Sequence, residues 1–195
     1  MPVYLDHSAS TPTDPRALEA MLPYFSDSYG NGSSAHSFGR KAEQAIEDAR
    51  ESIARVFRCQ PAEIVFTSGG TESDNLAVRG AAWSLRDKGN HLITSPVEHP
   101  AVLRTTAQLA DVMGFERTVL PVDNMGMVDV EDFVGAIRSE TPVASIMYAN
   151  NEVGTINPIP LLAQQARARG VIFHTDAVQA AGQLALDVET LASTC

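Results

Sequence analysis

Basic side chains are in short supply. Fourteen Lys and Arg stand against 24 Asp and Glu, a formal net charge of −10. So acidic a surface repels a phosphate backbone over most of its area, which excludes nucleic acid as the primary ligand. One local anion site remains open to the chain, because such a site needs only a few N–H groups. Cysteine is equally sparse. Cys59 and Cys195 make no disulfide framework and fit a reducing compartment, so a cytoplasmic location is expected. Neither has a motif around it, and both read as bystanders. No uninterrupted apolar run approaches the roughly 20 residues of a membrane helix. Residues 2–6 have neither the basic start nor the apolar stretch of a secretory signal. No membrane partner is expected. The GxxxxGK[ST] nucleotide loop is missing as well. What is there is ordinary for a soluble protein: 44% hydrophobic and 19% charged residues. The 195 residues suit one domain, or one large domain and part of another.

The pattern along the chain is alternation. Residues 4–6 are a short extended segment. Asp14 before Pro15 starts a short helix through Met21. Residues 30–34 form a loop. From 39 to 57, Ala42, Ala45, Ile46, Ala49, Ile53, Val56 and Phe57 keep helical spacing with charges between them, which marks an amphipathic helix. Strands are then expected at 64–66, 91–94, 117–121, 143–148 and 171–176. Helices are expected at 72–85, 100–109, from Asp129 to about Ile137, and at 159–169 closed by Gly170. Repeated strand–helix units give an α/β fold, a mostly parallel sheet with helices on both faces. The near-continuous apolar character of 143–148 fits a sheet covered on both sides.

Ligands of open parallel sheets bind outside the carboxyl ends of the strands, and unusual polar residues fall at those ends. The run Thr67-Ser68-Gly69-Gly70-Thr71 follows one strand and opens a helix, as a phosphate cup does: adjacent glycines admit the anion and the helix N-terminus attracts it. Glu98-His99 follows a second strand, Asn150-Asn151-Glu152 a third, and Asp176 ends a fourth with Gln179 three residues on. Each has a plainer reading. The turn could hold no phosphate, His99 could cap a helix, and the asparagines could serve a turn. Asp176 is harder to dismiss, because a buried carboxylate needs a cationic or hydrogen-bonding partner. His174 and Asp176 share a strand face, but no third ligand is evident, so no metal is expected. His7 and His36 read as ordinary loop residues.

These motifs, with Tyr4-Leu5-Asp6-His7-Ser8-Ala9-Ser10-Thr11-Pro12 and Gly30-Asn31-Gly32-Ser33-Ser34-Ala35-His36, resemble the cysteine desulfurases. These are enzymes of the class V aminotransferase type that use pyridoxal 5′-phosphate (PLP). The resemblance runs through essentially the whole chain in the family's order. It implies the large domain of PLP-transferase fold type I. It also implies roles: Gly70 and Thr71 hold the cofactor phosphate, and His99 stacks on the ring and moves protons as the catalytic residue. Asn151 and Gln179 bond the ring's phenolic oxygen, and Asp176 faces the ring nitrogen, where a carboxylate makes the ring an electron sink. In the family, sulfur passes from L-cysteine to an enzyme cysteine as a persulfide, leaving L-alanine. It goes on to a sulfur-acceptor scaffold for iron–sulfur cluster assembly or to tRNA thiolation, and the enzymes are homodimers.

The chain departs from the family at the Schiff-base lysine. Its two lysines, Lys41 and Lys88, stand outside the family's Ser-x-His-Lys context. Residues 1–195 are therefore expected to be the N-terminal segment plus most of the PLP-binding large domain, a truncated fold. They lack the lysine region, the C-terminal small domain and the sulfur-accepting cysteine, and are expected to be inactive alone. A complementing C-terminal half is one expected partner. The alternatives are a non-catalytic remnant that dimerises with an intact desulfurase, and a related class V enzyme such as selenocysteine lyase.

Overall fold

The computed structural model describes residues 2–188 and 191; Cys195 lies outside them. It forms two units, Met1–Val65 and Phe66–Cys195.

In the first unit, α1 (Pro15–Met21) begins where the Asp14 carboxylate accepts the Arg16 N–H at 2.8 Å. A four-residue helix, α2, spans Pro23–Ser26. The long helix α3 (Ser37–Phe57) starts at His36, whose Nδ1 accepts the Gly39 N–H at 3.2 Å. His36 is thus a helix cap, where the sequence suggested an ordinary loop residue. The strand expected at 64–66 does not form. After a single 3-10 turn at Pro61–Glu63 the backbone is extended, yet it joins no ladder among the described residues. The Arg50 guanidinium takes the Ile64 carbonyl instead. Three apolar residues prefer a pleated surface only when a neighbouring strand supplies one.

The second unit holds the sheet. The helix α4 (Gly70–Ser84) leads to β1 (His91–Thr94), α5 (Pro100–Met113) and β2 (Glu116–Val119). Then come α6 (Val130–Ala136), β3 (Val143–Ser145), α7 (Ile159–Ala168) and β4 (Ile172–His174). The strands lie in the order β2-β1-β3-β4, all parallel. Helices cover both faces, as the alternation implied. Val78 and Ala82 of α4 and Leu109 of α5 pack with Leu92 and Val143 on one side. Phe133 of α6 and Ile159, Leu162 and Ala166 of α7 pack with Ile93 and Ala144 on the other. This is the period-two alternation of the strands made physical. β1 forms over the expected residues, while the other regular strands are shorter than expected, and pairing continues beyond β3 and β4. Ile146 N–H donates to the His174 carbonyl at 3.1 Å, and Tyr148 N–H to the Asp176 carbonyl at 2.9 Å. After β2 the chain passes back beyond β1 to reach β3, so the order reverses between β1 and β3. A crevice outside the strand ends is expected at that point.

Candidate active site

The turn before α4 is held open by its own side chains. Glu72 accepts the Ser68 N–H at 2.6 Å, and the hydroxyls of Thr67 and Ser73 lie 2.6 Å apart. Bonding to Ser68 holds the Glu72 carboxyl below its ordinary range. Gly69 adopts φ 157°, ψ 178°, a region that needs glycine. A Cβ placed on Gly69 would meet nothing within 4 Å, so there is open space in front of the turn. A Cβ on Gly70 would come to 2.9 Å from Val178 Cγ2. The start of α4 thus sits against the turn that follows β4. The first-turn N–H groups of an α-helix lack intrahelical acceptors, so Gly70 and Thr71 present free donors here.

His99 caps α5 through Nδ1, which accepts the Ala101 N–H at 3.2 Å. That bond puts the neutral ring's hydrogen on Nε2, which is then a donor. The capping reading was correct, and it does not compete with a role in the site. His99 and Thr71 line one cleft of about 490 Å³ with Asn75, Arg79 and Arg104. Asp176 is 7% exposed, and its Oδ1 accepts the Val178 N–H at 3.0 Å. Polar atoms of His99, Asp176 and Asp74 all lie within 4.8 Å of one another. Asn150 serves the turn: its Oδ1 accepts the N–H groups of Glu152 and Val153 at 2.9 and 3.0 Å. Asn151 is half-buried and Gln179 exposed at the exits of β3 and β4, the strands joined by the Tyr148–Asp176 bond. Both side chains are without a hydrogen-bond partner among the described residues.

Asp74 escaped the sequence reading, and Glu98 and His174, which it named, take roles it did not foresee. Asp74 is 4% exposed and begins a stripe at helical spacing with Val78 and Ala82 on the buried face of α4. That spacing was a usable signal. Glu98 is equally buried. Its Oε1 accepts the Ser95 hydroxyl at 2.6 Å and the Met147 N–H at 2.8 Å, which clamps the exit of β1 to that of β3 across the reversal point. Its Oε2 has no partner among the described residues. Burial pushes the Glu98 carboxyl up to about 8; Asp176 and Asp74 add to the rise, and the bonds from Ser95 and Met147 oppose it. His174 lies 3.5 Å from Asp74 through Nε2, rather than joining Asp176 as a second ligand.

The donor set suits a phosphorylated aromatic ring. The free N–H groups at the start of α4, the His99 imidazole and the buried Asp176 carboxylate are of the kinds its phosphate, its face and its ring nitrogen would use. Asp74, His99 and Asp176 also have the spacing of a cation site, but a cation would use neither the cup nor the amides. Lys88 is placed elsewhere. Its ammonium donates to the Gly170 carbonyl just before β4, at the amino ends of the strands and away from the cup.

The family model for aminotransferase class-V matches residues 3–193. The cysteine desulfurase IscS of Neisseria meningitidis is 49% identical over 189 residues, which are 96% of this chain and 46% of that protein. The IscS of an Anaeromyxobacter species is 50% identical over 190 residues, 97% of this chain and 47% of the relative. The chain spans about half the length of these relatives. A NifS-like protein of known structure superposes with a TM-score of 0.94 at 39% identity, covering 98% of this chain and 53% of the other. The apo cysteine desulfurase of Thermococcus onnurineus gives 0.88 at 28% identity, covering 97% and 47%. Enzymes of this kind depend on PLP. The chain belongs to the class-V aminotransferase family.

Proposed function

We propose that residues 1–195 supply the N-terminal segment and most of the cofactor-binding large domain of a PLP-dependent cysteine desulfurase. The observation that carries this reading is the meeting of the α4 amide cup, His99 and Asp176 at the carboxyl ends of one parallel sheet. In the reading, Gly70 and Thr71 donate to the cofactor phosphate. Asp176 faces the ring nitrogen, and Asn151 and Gln179 hold the phenolic oxygen. His99 covers the ring and takes part in proton transfer as the catalytic group. When bound, PLP supplies an electron sink that stabilises negative charge at the substrate Cα. L-cysteine is the substrate, a sulfur-acceptor scaffold the receiver, a second copy the dimer partner and the cytoplasm the location.

The Schiff-base lysine belongs, in this reading, to a segment supplied in addition to these residues. Lys88 is committed at the opposite edge of the sheet, and Lys41 stands on α3. Alone, the chain is expected to bind PLP without turning over L-cysteine. The test is L-alanine release from the purified chain with PLP and L-cysteine, alone and mixed with a lysine-bearing C-terminal half of a cysteine desulfurase. Alanine only from the mixture supports the reading. Alanine from the chain alone contradicts the lysine assignment, and alanine from neither contradicts the desulfurase reading.

A further inference from the structure

Near Asp176 lies a line of buried and half-buried polar groups that cofactor binding leaves unused. Ser145 and His174 are register partners on β3 and β4, on the sheet face that α4 covers. Ser145 Oγ and His174 Nδ1 lie 2.8 Å apart. His174 Nε2 lies 3.5 Å from Asp74 Oδ1, a charge contact longer than a normal hydrogen bond. Asp74 in turn lies within 4.8 Å of Asp176. Two facts of the chain produce this line. His174 and Asp176 are two apart on one strand path, so they share a face. Asp74 is one helical turn beyond Gly70, so the helix that forms the cup also lays a carboxylate on that strand.

Four titratable groups around Asp176 come from three places: Asp74 on α4, Glu98 and His99 from the β1–α5 segment, and His174 on β4. Glu98 carries its proton at neutral pH, because burial pushes its carboxyl up to about 8. That leaves two carboxylates close together in a buried setting, where like charges disfavour joint ionisation. Asp74 accepts only, and His174 Nε2, 3.5 Å away, brings a positive or N–H-bearing group up to it. With Nε2 protonated, Nδ1 either accepts from Ser145 in the neutral ring or donates to it in the cation. Both forms satisfy the line.

We propose that His174 is a positioning residue: braced by Ser145 and paired with Asp74, it offsets the Asp74 charge so that Asp176 presents a full carboxylate to the cofactor's ring nitrogen. The inference rests on the PLP reading above. Without the imidazole, the Asp74 charge stands unopposed beside Asp176, and Asp176 serves the ring nitrogen less well.

The test uses the 195-residue chain and PLP labelled with 15N at the ring nitrogen. PLP affinity comes from titration, and ring protonation is followed by 15N NMR across pH. In His174→Leu the ring-protonation midpoint is expected to fall by about one pH unit, a tenfold change in the constant. His174→Gln keeps a neutral donor to Asp74 and is expected to recover most of the shift. In an Asp74→Asn background, His174→Leu is expected to change nothing further, since the charge that His174 offsets is gone. A His174→Leu chain that binds PLP and titrates like the wild type overturns the inference. So does an equal shift with and without Asp74, and so does a His174→Gln chain as impaired as His174→Leu. A wild-type chain that takes up no PLP overturns the cofactor reading, and the inference with it.

Discussion

Glu98 keeps a proton that an exposed glutamic acid would have lost. Its folded value, about 8, lies well above the ordinary 4.5 of the unfolded chain. Between those two values the native state binds more protons than the unfolded state. Stability therefore falls as pH rises through that window and levels off above about 8. The total effect is on the order of a few kcal/mol. Glu98→Gln keeps the acceptor for Ser95 and Met147 and has nothing to ionise. Urea unfolding across that window should show a falling stability for the wild type and a nearly flat one for Glu98→Gln. Equal slopes would remove Glu98 as the cause. At this scale the sequence was half legible. Gly70, His99 and Asp176 stood out because polar residues at strand ends are unusual. The charges of Asp74, Glu98 and His174 were equally visible, but their weight comes from burial, and burial depends on how α4 and the β1–α5 segment pack on the sheet.

The start of α3 shows local and tertiary terms in competition. Gly39 lies within that helix, where alanine is ordinarily favoured by about 1 kcal/mol. A Cβ there would overlap the Ser34 carbonyl oxygen and press on that of Asn31. Those are backbone atoms, and they yield poorly. Gly39→Ala should therefore destabilise the protein by roughly 1–3 kcal/mol, read as a lowered Tm in calorimetry; a raised Tm would show that the loop at 31–34 gives way freely. Among whole elements, helix starts were legible to within about two residues, as with Asp129 capping α6, while α5 runs on to Met113 beyond the expected end at Leu109. The expected strand at 64–66 was not, because apolar content alone cannot report whether a partner edge or an arginine will claim the backbone.

On the scale of the whole molecule, the two units differ in what they bury. Neither α1 nor α2 has a buried residue, and Leu5 and Phe25 are 84% and 74% exposed. Surfaces of that kind mark places where other protein packs, in keeping with the dimer proposed above. Among the described residues no helix is long and apolar enough to cross a membrane. The unit that carries the sheet has its own two cores and its own site. Cofactor binding is therefore the property this chain should display without any partner. The most direct measurement is a spectroscopic PLP titration of the chain beside Gly70→Val and Asp176→Ala. Saturable binding is expected, weakened about tenfold or more in each variant. No saturable binding, or binding that both variants leave unchanged, would contradict a cofactor site at the mouth of this sheet.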